Sequence, residues 1–333
     1  MGHPIDDSLH EALDNEVAAS AEPEIQEVEC RSASVDTAQH GRRLDKALGA
    51  MVPELSRSYL QTLIERGHVK VDGEPASRAA RRVRAGQRLE VVLVPTAESI
   101  AFRPEHMPMA TVYEDEHVLV LDKPAGLVVH PAAGNWSGTL LNGLLAYVPG
   151  AASLPRAGIV HRLDKDTSGL MVVGTTLQAV TELSREIAGR RVRRQYAAIA
   201  HGVVAARAFT VEAPIGRDPG VRTRMAIVVS GKAARTDVEV VAHGSGCSAL
   251  ICLLHTGRTH QIRVHLASRG HPLLADAVYG GRPGLGMVRH ALHAATLAFR
   301  HPVTSEALRF DAPPPADFTA AWEAVTGVPA TTP

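Results

Sequence analysis

The chain of 333 residues is poor in cysteine, in aromatic residues and in long apolar runs. Its three cysteines, Cys30, Cys247 and Cys252, are too few and too scattered for a disulfide framework, which favours a reducing cytoplasm. No run approaches the roughly 18 apolar residues of a membrane-spanning helix, and the acidic N-terminus has no signal-peptide pattern. We therefore expect a cytoplasmic protein without a membrane partner.

The net charge of zero conceals two oppositely charged segments. Residues 1–40 hold ten carboxylates and one arginine and lack apolar periodicity, which predicts a disordered acidic tail. Residues 41–95 hold 11 basic residues against 6 acidic ones. Such an excess on a small domain is typical of a protein that binds a phosphate backbone, although a solvated arginine-rich face fits the charge alone equally well.

The pattern of apolar residues divides the rest of the chain into a small and a large domain. Residues 41–98 read as helix, helix, strand, turn, basic loop and strand, with Ser56 as the N-cap of the second helix. Residues 99–325 form the large domain, and residues 326–333 a C-terminal tail. In the large domain, strands are predicted at 117–122, 127–130, 158–162, 170–174, 195–200, 236–241 and 249–254, and helices at 176–189 and 259–269. Because short strands outnumber helices and βαβ alternation is weak, we predict an α+β fold with a mainly antiparallel sheet.

The most informative segment runs from Gly158 to Leu170. Asp164 follows an apolar run there, so we expect it at the end of a strand, facing a cleft. An aspartate in this position often caps a turn. Arg162 and Lys165 crowd the same turn, however, and a carboxylate beside several cations is a site where an ionised nucleophile is maintained.

These residues resemble the signature of the RluA/RluD-type ribosomal large-subunit pseudouridine synthase family. The resemblance rests on the run His161–Leu170 and on five further segments in family order, over roughly residues 112–320: Asp122–Leu127, Arg194–Tyr196, Thr256–Leu266, Gly270–Gly280 and Ala291–Ala294. Residues 41–95 resemble the RNA-binding domain named after small-subunit ribosomal protein S-four. One departure is Ala275, which stands where the family usually has glycine.

The resemblance implies the role of each site residue. Asp164 would be the catalytic carboxylate, Arg263 the arginine that pairs with it and Tyr196 the tyrosine that packs against the target base. Arg162 would occupy the space left by a uridine that has flipped out of its stack. Whether Asp164 attacks the sugar, attacks the ring or acts as a base is open at this point.

Structured RNA is the partner that these observations imply, and the small domain favours large-subunit ribosomal RNA over transfer RNA. The oligomeric state is open, with a monomer favoured. The reaction changes no redox state and adds no group, so neither a cofactor nor a metal is expected. The candidate RNA-binding residues are Arg57, Arg66, Arg81, Arg82, Arg84, Arg162, Arg191, Arg194, Arg258 and His260.

Two other classes of protein remain as alternatives. One is a non-catalytic RNA-binding or ribosome-assembly factor that kept the fold, which need not retain Asp164, Arg263 and Tyr196 together. The other is a carboxylate-dependent hydrolase acting on nucleosides. That enzyme would use a second catalytic carboxylate, for which Asp166 is the only close candidate in the sequence.

Overall fold

A computed structural model describes residues 29–94, 101–132, 134–221 and 223–329. The chain divides into two compact units between Thr96 and Ala97, called here the N-terminal unit and the C-terminal unit. No helix in the described part of the chain is long and apolar enough to cross a membrane.

The N-terminal unit is a small sheet covered by two helices. Its elements are β1 (Glu29–Ser34), α1 (Leu44–Met51), α2 (Arg57–Glu65), β2 (Val69–Val71), β3 (Glu74–Pro75) and β4 (Arg88–Leu93). The strands pair antiparallel in the order β1-β4-β2-β3. The apolar faces of both helices are buried against the sheet, with Leu48, Leu60 and Val91 at the centre of the core. The Ser56 side chain accepts from the Tyr59 amide, so the predicted N-cap is present.

The predicted disordered tail is wrong for the last part of residues 1–40. Glu29–Ser34 forms the edge strand β1, which pairs with β4 from Glu29↔Leu93 to Ser34↔Arg88. The side chains of β1 are almost all exposed, so backbone hydrogen bonds hold this strand and no apolar alternation marks it in the sequence. The rest of the predicted tail, residues 1–28, lies outside the described residues.

The C-terminal unit contains most of the secondary structure. Its strands are β5 (Thr111–Glu114), β6 (Val118–Lys123), β7 (Ser168–Gly174), β8 (Arg193–His201), β9 (Ala208–Glu212), β10 (Ile215–Arg217), β11 (Met225–Ile227), β12 (Arg235–Gly244), β13 (Cys247–Leu254), β14 (Leu292–Arg300) and β15 (Ala307–Asp311). Its α-helices are α3 (Leu140–Tyr147), α4 (Leu177–Ala188), α5 (Gln261–Ser268) and α6 (Ala316–Thr326). Helix α6 ends one residue inside the predicted C-terminal tail of residues 326–333.

Nine of the described strands form one sheet, in the order β5-β6-β7-β14-β8-β13-β12-β9, with β15 on β14. All of its pairs are antiparallel except β7 with β14. The predicted α+β fold with a mainly antiparallel sheet is therefore confirmed. At the parallel pair, Gly169 has a φ of +112°, and a Cβ there would lie 2.3 Å from the Ala294 carbonyl oxygen. Only glycine lets the two strands approach so closely at this point.

Two predicted strands, 127–130 and 158–162, are absent from the structure. Val129, Ile159 and Leu163 are buried in the core, but they lie in irregular segments. Arg156 and Ala157 have φ angles of 53° and 52°, which excludes an extended chain as it enters the second segment. Short buried apolar runs do not distinguish a strand from a packed loop, and this explains both errors.

Candidate active site

A cleft of about 380 Å³ opens beside the sheet of the C-terminal unit. It brings together seven of the predicted site residues, which come from distant parts of the sequence. They are Asp164, Arg162, Arg194, Tyr196, Arg258, His260 and Arg263.

Asp164 lies in a loop of residues 161–167 that precedes β7. The expectation that it ends a strand is therefore wrong, although its side chain does line the cleft. The Thr167 amide donates to the Asp164 carbonyl at 3.1 Å and closes a turn. The carboxylate is 17% exposed, so it meets the cleft while most of its surface is covered by protein.

Arg263 on α5 joins Asp164 to a second carboxylate. Its Nη1 donates to Asp164 Oδ2 at 3.0 Å. Its Nε and Nη2 donate to the two oxygens of Asp276, at 2.7 and 2.9 Å. The bidentate pair fixes the plane of the guanidinium and leaves Nη1 aimed at Asp164.

The environment keeps Arg263 charged although it is buried. Burial alone lowers the pKa of this guanidinium, but the hydrogen bonds and the charges of Asp276 and Asp164 outweigh that effect and raise it. The Tyr279 ring lies under the guanidinium, with 5.1 Å between its centroid and the arginine Cζ. Asp276 and Tyr279 were noted in the sequence only as parts of a matching segment, and no role was assigned to them.

Three side chains from other elements hold the loop that carries Asp164. Lys123 Nζ donates to the Lys165 carbonyl at 3.0 Å, and Arg289 Nη1 donates to the Asp166 carbonyl at 2.9 Å. The Thr167 hydroxyl is 2.7 Å from His290 Nε2. The loop is therefore fixed at three successive residues. Sequence reasoning missed all three anchors; a lysine at the end of the apolar strand β6 was the one signal available.

Buried titratable groups surround this loop. Burial lowers the pKa of Lys123 to about 8, against the attraction of nearby carboxylates. Burial and the charge of Arg263 lower the pKa of His290 to about 4, so its imidazole is neutral at pH 7. Lys123 also donates to the Pro124 and Leu127 carbonyls, which gives its ammonium three backbone acceptors.

Tyr196 and Arg194 on β8 form another wall of the cleft. The Tyr196 side chain is almost completely buried, and burial raises the pKa of its hydroxyl to about 12. Arg194 is 5% exposed, and its Nε has no hydrogen-bond partner among the described residues. A buried guanidinium without a carboxylate partner is a natural ligand for a phosphate.

The remaining predicted RNA-binding arginines lie elsewhere. Arg191 pairs with Glu186 at 2.8 Å on the surface of the C-terminal unit. The other five belong to the N-terminal unit, where all are exposed: Arg57, Arg66, Arg81, Arg82 and Arg84.

A buried aspartate organises part of that basic surface. The Asp45 side chain is fully buried and accepts from Arg43, Arg57 and Gln61, at 2.8 to 3.1 Å. The Arg43 hydrogen bond is the main reason that the pKa of Asp45 is well below its usual value. The two arginines stay about half exposed, so the aspartate presents a fixed pair of guanidinium groups to solvent.

Known proteins resemble the chain over most of its length. A ribosomal large subunit pseudouridine synthase D from Pasteurella multocida is 44% identical over 307 residues, covering 88% of this chain and 94% of that protein. The chain belongs to the RNA pseudouridylate synthase family. The family model itself matches residues 117–268, which include Asp164, Tyr196 and Arg263. The resemblance seen in the sequence is therefore confirmed, as is the enzyme class.

Further comparisons agree with this family. The synthase D of Neisseria meningitidis serogroup B is 48% identical over 83% of this chain and 77% of its own length. The solved structure of human RNA pseudouridylate synthase domain containing 1 aligns with a TM-score of 0.53 at 27% identity, covering 70% of this chain and 91% of that one. Residues 42–89 match the S4 domain model, so the N-terminal unit holds the predicted S4 domain.

Proposed function

We propose that this pseudouridine synthase isomerises specific uridines in large-subunit ribosomal RNA, with Asp164 as the catalytic carboxylate. The observation that carries the proposal is the Asp164–Arg263–Asp276 arrangement, in which Asp164 and Arg263 line the cleft and Asp276 is buried. The Arg263 guanidinium orients the reactive carboxylate of Asp164, and the buried carboxylate of Asp276 holds the guanidinium in place. The ribosomal RNA substrate is supported by the names of the relatives and by the S4 domain.

The reaction breaks the bond between C1′ of the ribose and N1 of uracil and forms a bond from C1′ to C5. The hydrogen on C5 is lost and N1 gains one, so atoms and electrons balance without a co-reactant. Asp164 would act where the bond breaks, as a nucleophile or a base. Tyr196 would pack against the ring and keep it in the cleft while it turns.

Arginines at the cleft supply the positive charge that RNA requires. Arg162 and Arg258 are exposed at its edge, and Arg194 lies deeper in its wall. A uridine in a folded RNA must leave its stack before Asp164 can reach it, and Arg162 would fill the space that the uridine leaves. Arg194 would hold a phosphate of the extruded nucleotide, because its buried Nε has no hydrogen-bond partner among the described residues.

The nucleoside hydrolase is the weaker alternative. Asp276 is a second carboxylate bound to the same guanidinium as Asp164, but both of its oxygens accept from Arg263, and one also accepts from the Val278 amide. A carboxylate so fully engaged, and only 1% exposed, is a poor general base for water. The non-catalytic RNA-binding factor is disfavoured because Asp164, Arg263 and Tyr196 meet in one cleft.

The test is to incubate the purified protein with unmodified large-subunit ribosomal RNA and, separately, with transfer RNA, and to map pseudouridine by mass spectrometry. We expect pseudouridine at a few positions of the ribosomal RNA and none in the transfer RNA. Release of free uracil would support the hydrolase instead. RNA binding without any change in the nucleosides would support the non-catalytic factor. Modification of transfer RNA alone would refute the proposal that ribosomal RNA is the substrate.

A further inference from the structure

His260 has a backbone conformation that non-glycine residues rarely adopt. It is the N-cap residue of α5, with φ 56° and ψ 24°. L-amino acids with a Cβ are disfavoured in this region, and such residues concentrate at functional sites. The side chain is 21% exposed and lines the cleft beside Asp164.

A short chain of hydrogen bonds fixes the His260 ring. The Met225 amide donates to the Tyr279 hydroxyl oxygen at 3.0 Å, and that oxygen lies 2.8 Å from His260 Nδ1. In the tautomer consistent with a Tyr279 O–H···Nδ1 hydrogen bond, the imidazole proton is on Nε2, and the proposal below uses this tautomer.

The opposite nitrogen faces the reacting carboxylate. His260 Nε2 is 3.9 Å from Asp164 Oδ2, too far for a hydrogen bond, and Arg263 Nη1 already donates to that oxygen. Burial lowers the pKa of His260 and outweighs the attraction of Asp164, so the imidazole is neutral at pH 7. With its proton on Nε2, His260 would be an uncharged N–H donor that lines the cleft beside Asp164.

We propose that the Nε2–H of His260 donates a hydrogen bond to a carbonyl oxygen of the target uracil, and that Tyr279 is a positioning residue that keeps the proton on Nε2. The inference rests on the proposed function and adds a contact to the base. A donor-only group complements a carbonyl oxygen, and it opposes the amino group that cytosine carries in place of one of the two uracil carbonyls.

The first test compares His260→Gln with His260→Asn in single-turnover pseudouridine formation. Glutamine places an amide N–H close to the position of Nε2, whereas asparagine is too short to reach it. Asparagine is the better residue for the left-handed backbone, however. We therefore expect the asparagine variant to lose about 10- to 100-fold in rate and the glutamine variant to lose less. A merely structural role predicts the reverse order, which would overturn the proposal.

The second test concerns Tyr279. Tyr279→Phe should lower the rate with little change in the KM for RNA. Without the hydroxyl, nothing fixes the orientation of the His260 ring or keeps its proton on Nε2. If Tyr279 acts through His260, the double variant Tyr279→Phe/His260→Asn should be no slower than His260→Asn alone. Additive losses would refute the positioning role. Tyr147→Phe is the matched control, since it removes a hydroxyl bonded to Glu114 on the surface.

Two controls complete the design. The first control replaces the target uridine by 2′-deoxyuridine and compares the rates of wild type and His260→Asn. If the acceptor is on the base, the wild type should remain faster by the same factor as with uridine. Equal rates for the two proteins would show that the ribose hydroxyl is the acceptor and would overturn the proposal. Equal thermal unfolding curves would exclude loss of the fold. If the wild-type protein forms no pseudouridine, the proposed function itself fails. If the wild type is active and His260→Asn forms pseudouridine at the same rate, only the inference about His260 is refuted.

Discussion

At the scale of single residues, the arrangement depends on Arg263, whose one guanidinium donates hydrogen bonds to two carboxylates. Arg263→Met should abolish most activity, by roughly 100-fold or more, because Asp164 loses the group that orients it. Arg263→Lys keeps a charge but loses the planar fork, so it should retain more activity than Met. RNA affinity should change much less in both. The measurement is single-turnover pseudouridine formation alongside RNA binding, and a Met variant as fast as wild type would contradict the role.

Loss of Arg263 also affects stability, and this requires a control. Asp276 would be left buried without its partner, which costs about 3 to 5 kcal/mol. In the double variant Arg263→Met/Asp276→Asn that charge is gone, so much of the lost stability should return. Activity should not return, since Asp164 is still without its guanidinium. Recovery of both would mean that Arg263 acts only by stabilising the fold.

Lys123 gives the protein a pH-dependent stability with a defined sign. Its pKa in the folded protein is about 8, whereas an unfolded lysine titrates near 10.4. Between these values the unfolded chain binds more protons, so the free energy of unfolding rises with pH. Lys123→Met lacks this group and leaves three carbonyls without a donor, so it should be less stable than wild type at neutral pH.

The measurement is urea unfolding of wild type and Lys123→Met at a pH of about 7.5 and about 9.5. The stability difference in favour of wild type should grow by roughly 1 to 3 kcal/mol at the higher pH. A difference that stays constant would show that the Lys123 ammonium titrates as an exposed lysine does.

At the scale of elements, helix α6 supports the catalytic loop through Arg289. This arginine pairs with Asp317 in the first turn of α6, at 2.7 and 2.9 Å, and donates to the Asp166 carbonyl. Arg289→Met should lower kcat about tenfold by loosening the loop, with little effect on KM. Asp317→Asn leaves the bond to Asp166 possible and should have a smaller effect. Equal losses in kcat for the two variants would mean that activity depends on the contact of Arg289 with Asp317 and not on its contact with the Asp166 carbonyl.

The elements predicted from the sequence are those with a clear apolar period. Helix α4 is amphipathic and was predicted at 176–189, against Leu177–Ala188 in the structure. Helix α3, by contrast, was missed, because its sequence is apolar on nearly every face and gives no helical stripe. Strand β1 was missed for the opposite reason, since its side chains face solvent.

The site residues predicted from the sequence are those that a motif or a cluster of charged residues marks. Asp164 stood out among the charged residues of its turn, Arg263 was identified by its place in a family motif, and the two do meet in one cleft. Asp276 was not recognised as their partner, because a bidentate bond across 13 residues leaves no mark in the sequence. Ala275 has a φ of 60°, a left-handed conformation that glycine adopts without strain, and this chain adopts it with alanine.

At the scale of the whole molecule, the exposed arginines of the S4 domain should contribute to RNA affinity through phosphate contacts. Replacing Arg81, Arg82 and Arg84 together by Gln should reduce the salt dependence of binding by roughly 0.7 to 0.9 units per lost contact. Arg31→Gln is the control, because Arg31 is already paired with Glu29 in the same unit. An unchanged slope in the triple variant would show that this surface does not bind RNA.

The central claim is that one carboxylate, Asp164, performs the isomerisation. Asp164→Asn keeps the volume of the side chain and removes its charge, so the cleft and the RNA-binding surfaces should persist. The decisive measurement is pseudouridine formation by purified Asp164→Asn on ribosomal RNA, with RNA affinity measured on the same preparation. We expect affinity close to that of wild type and no pseudouridine. Substantial pseudouridine formation by this variant would contradict the account.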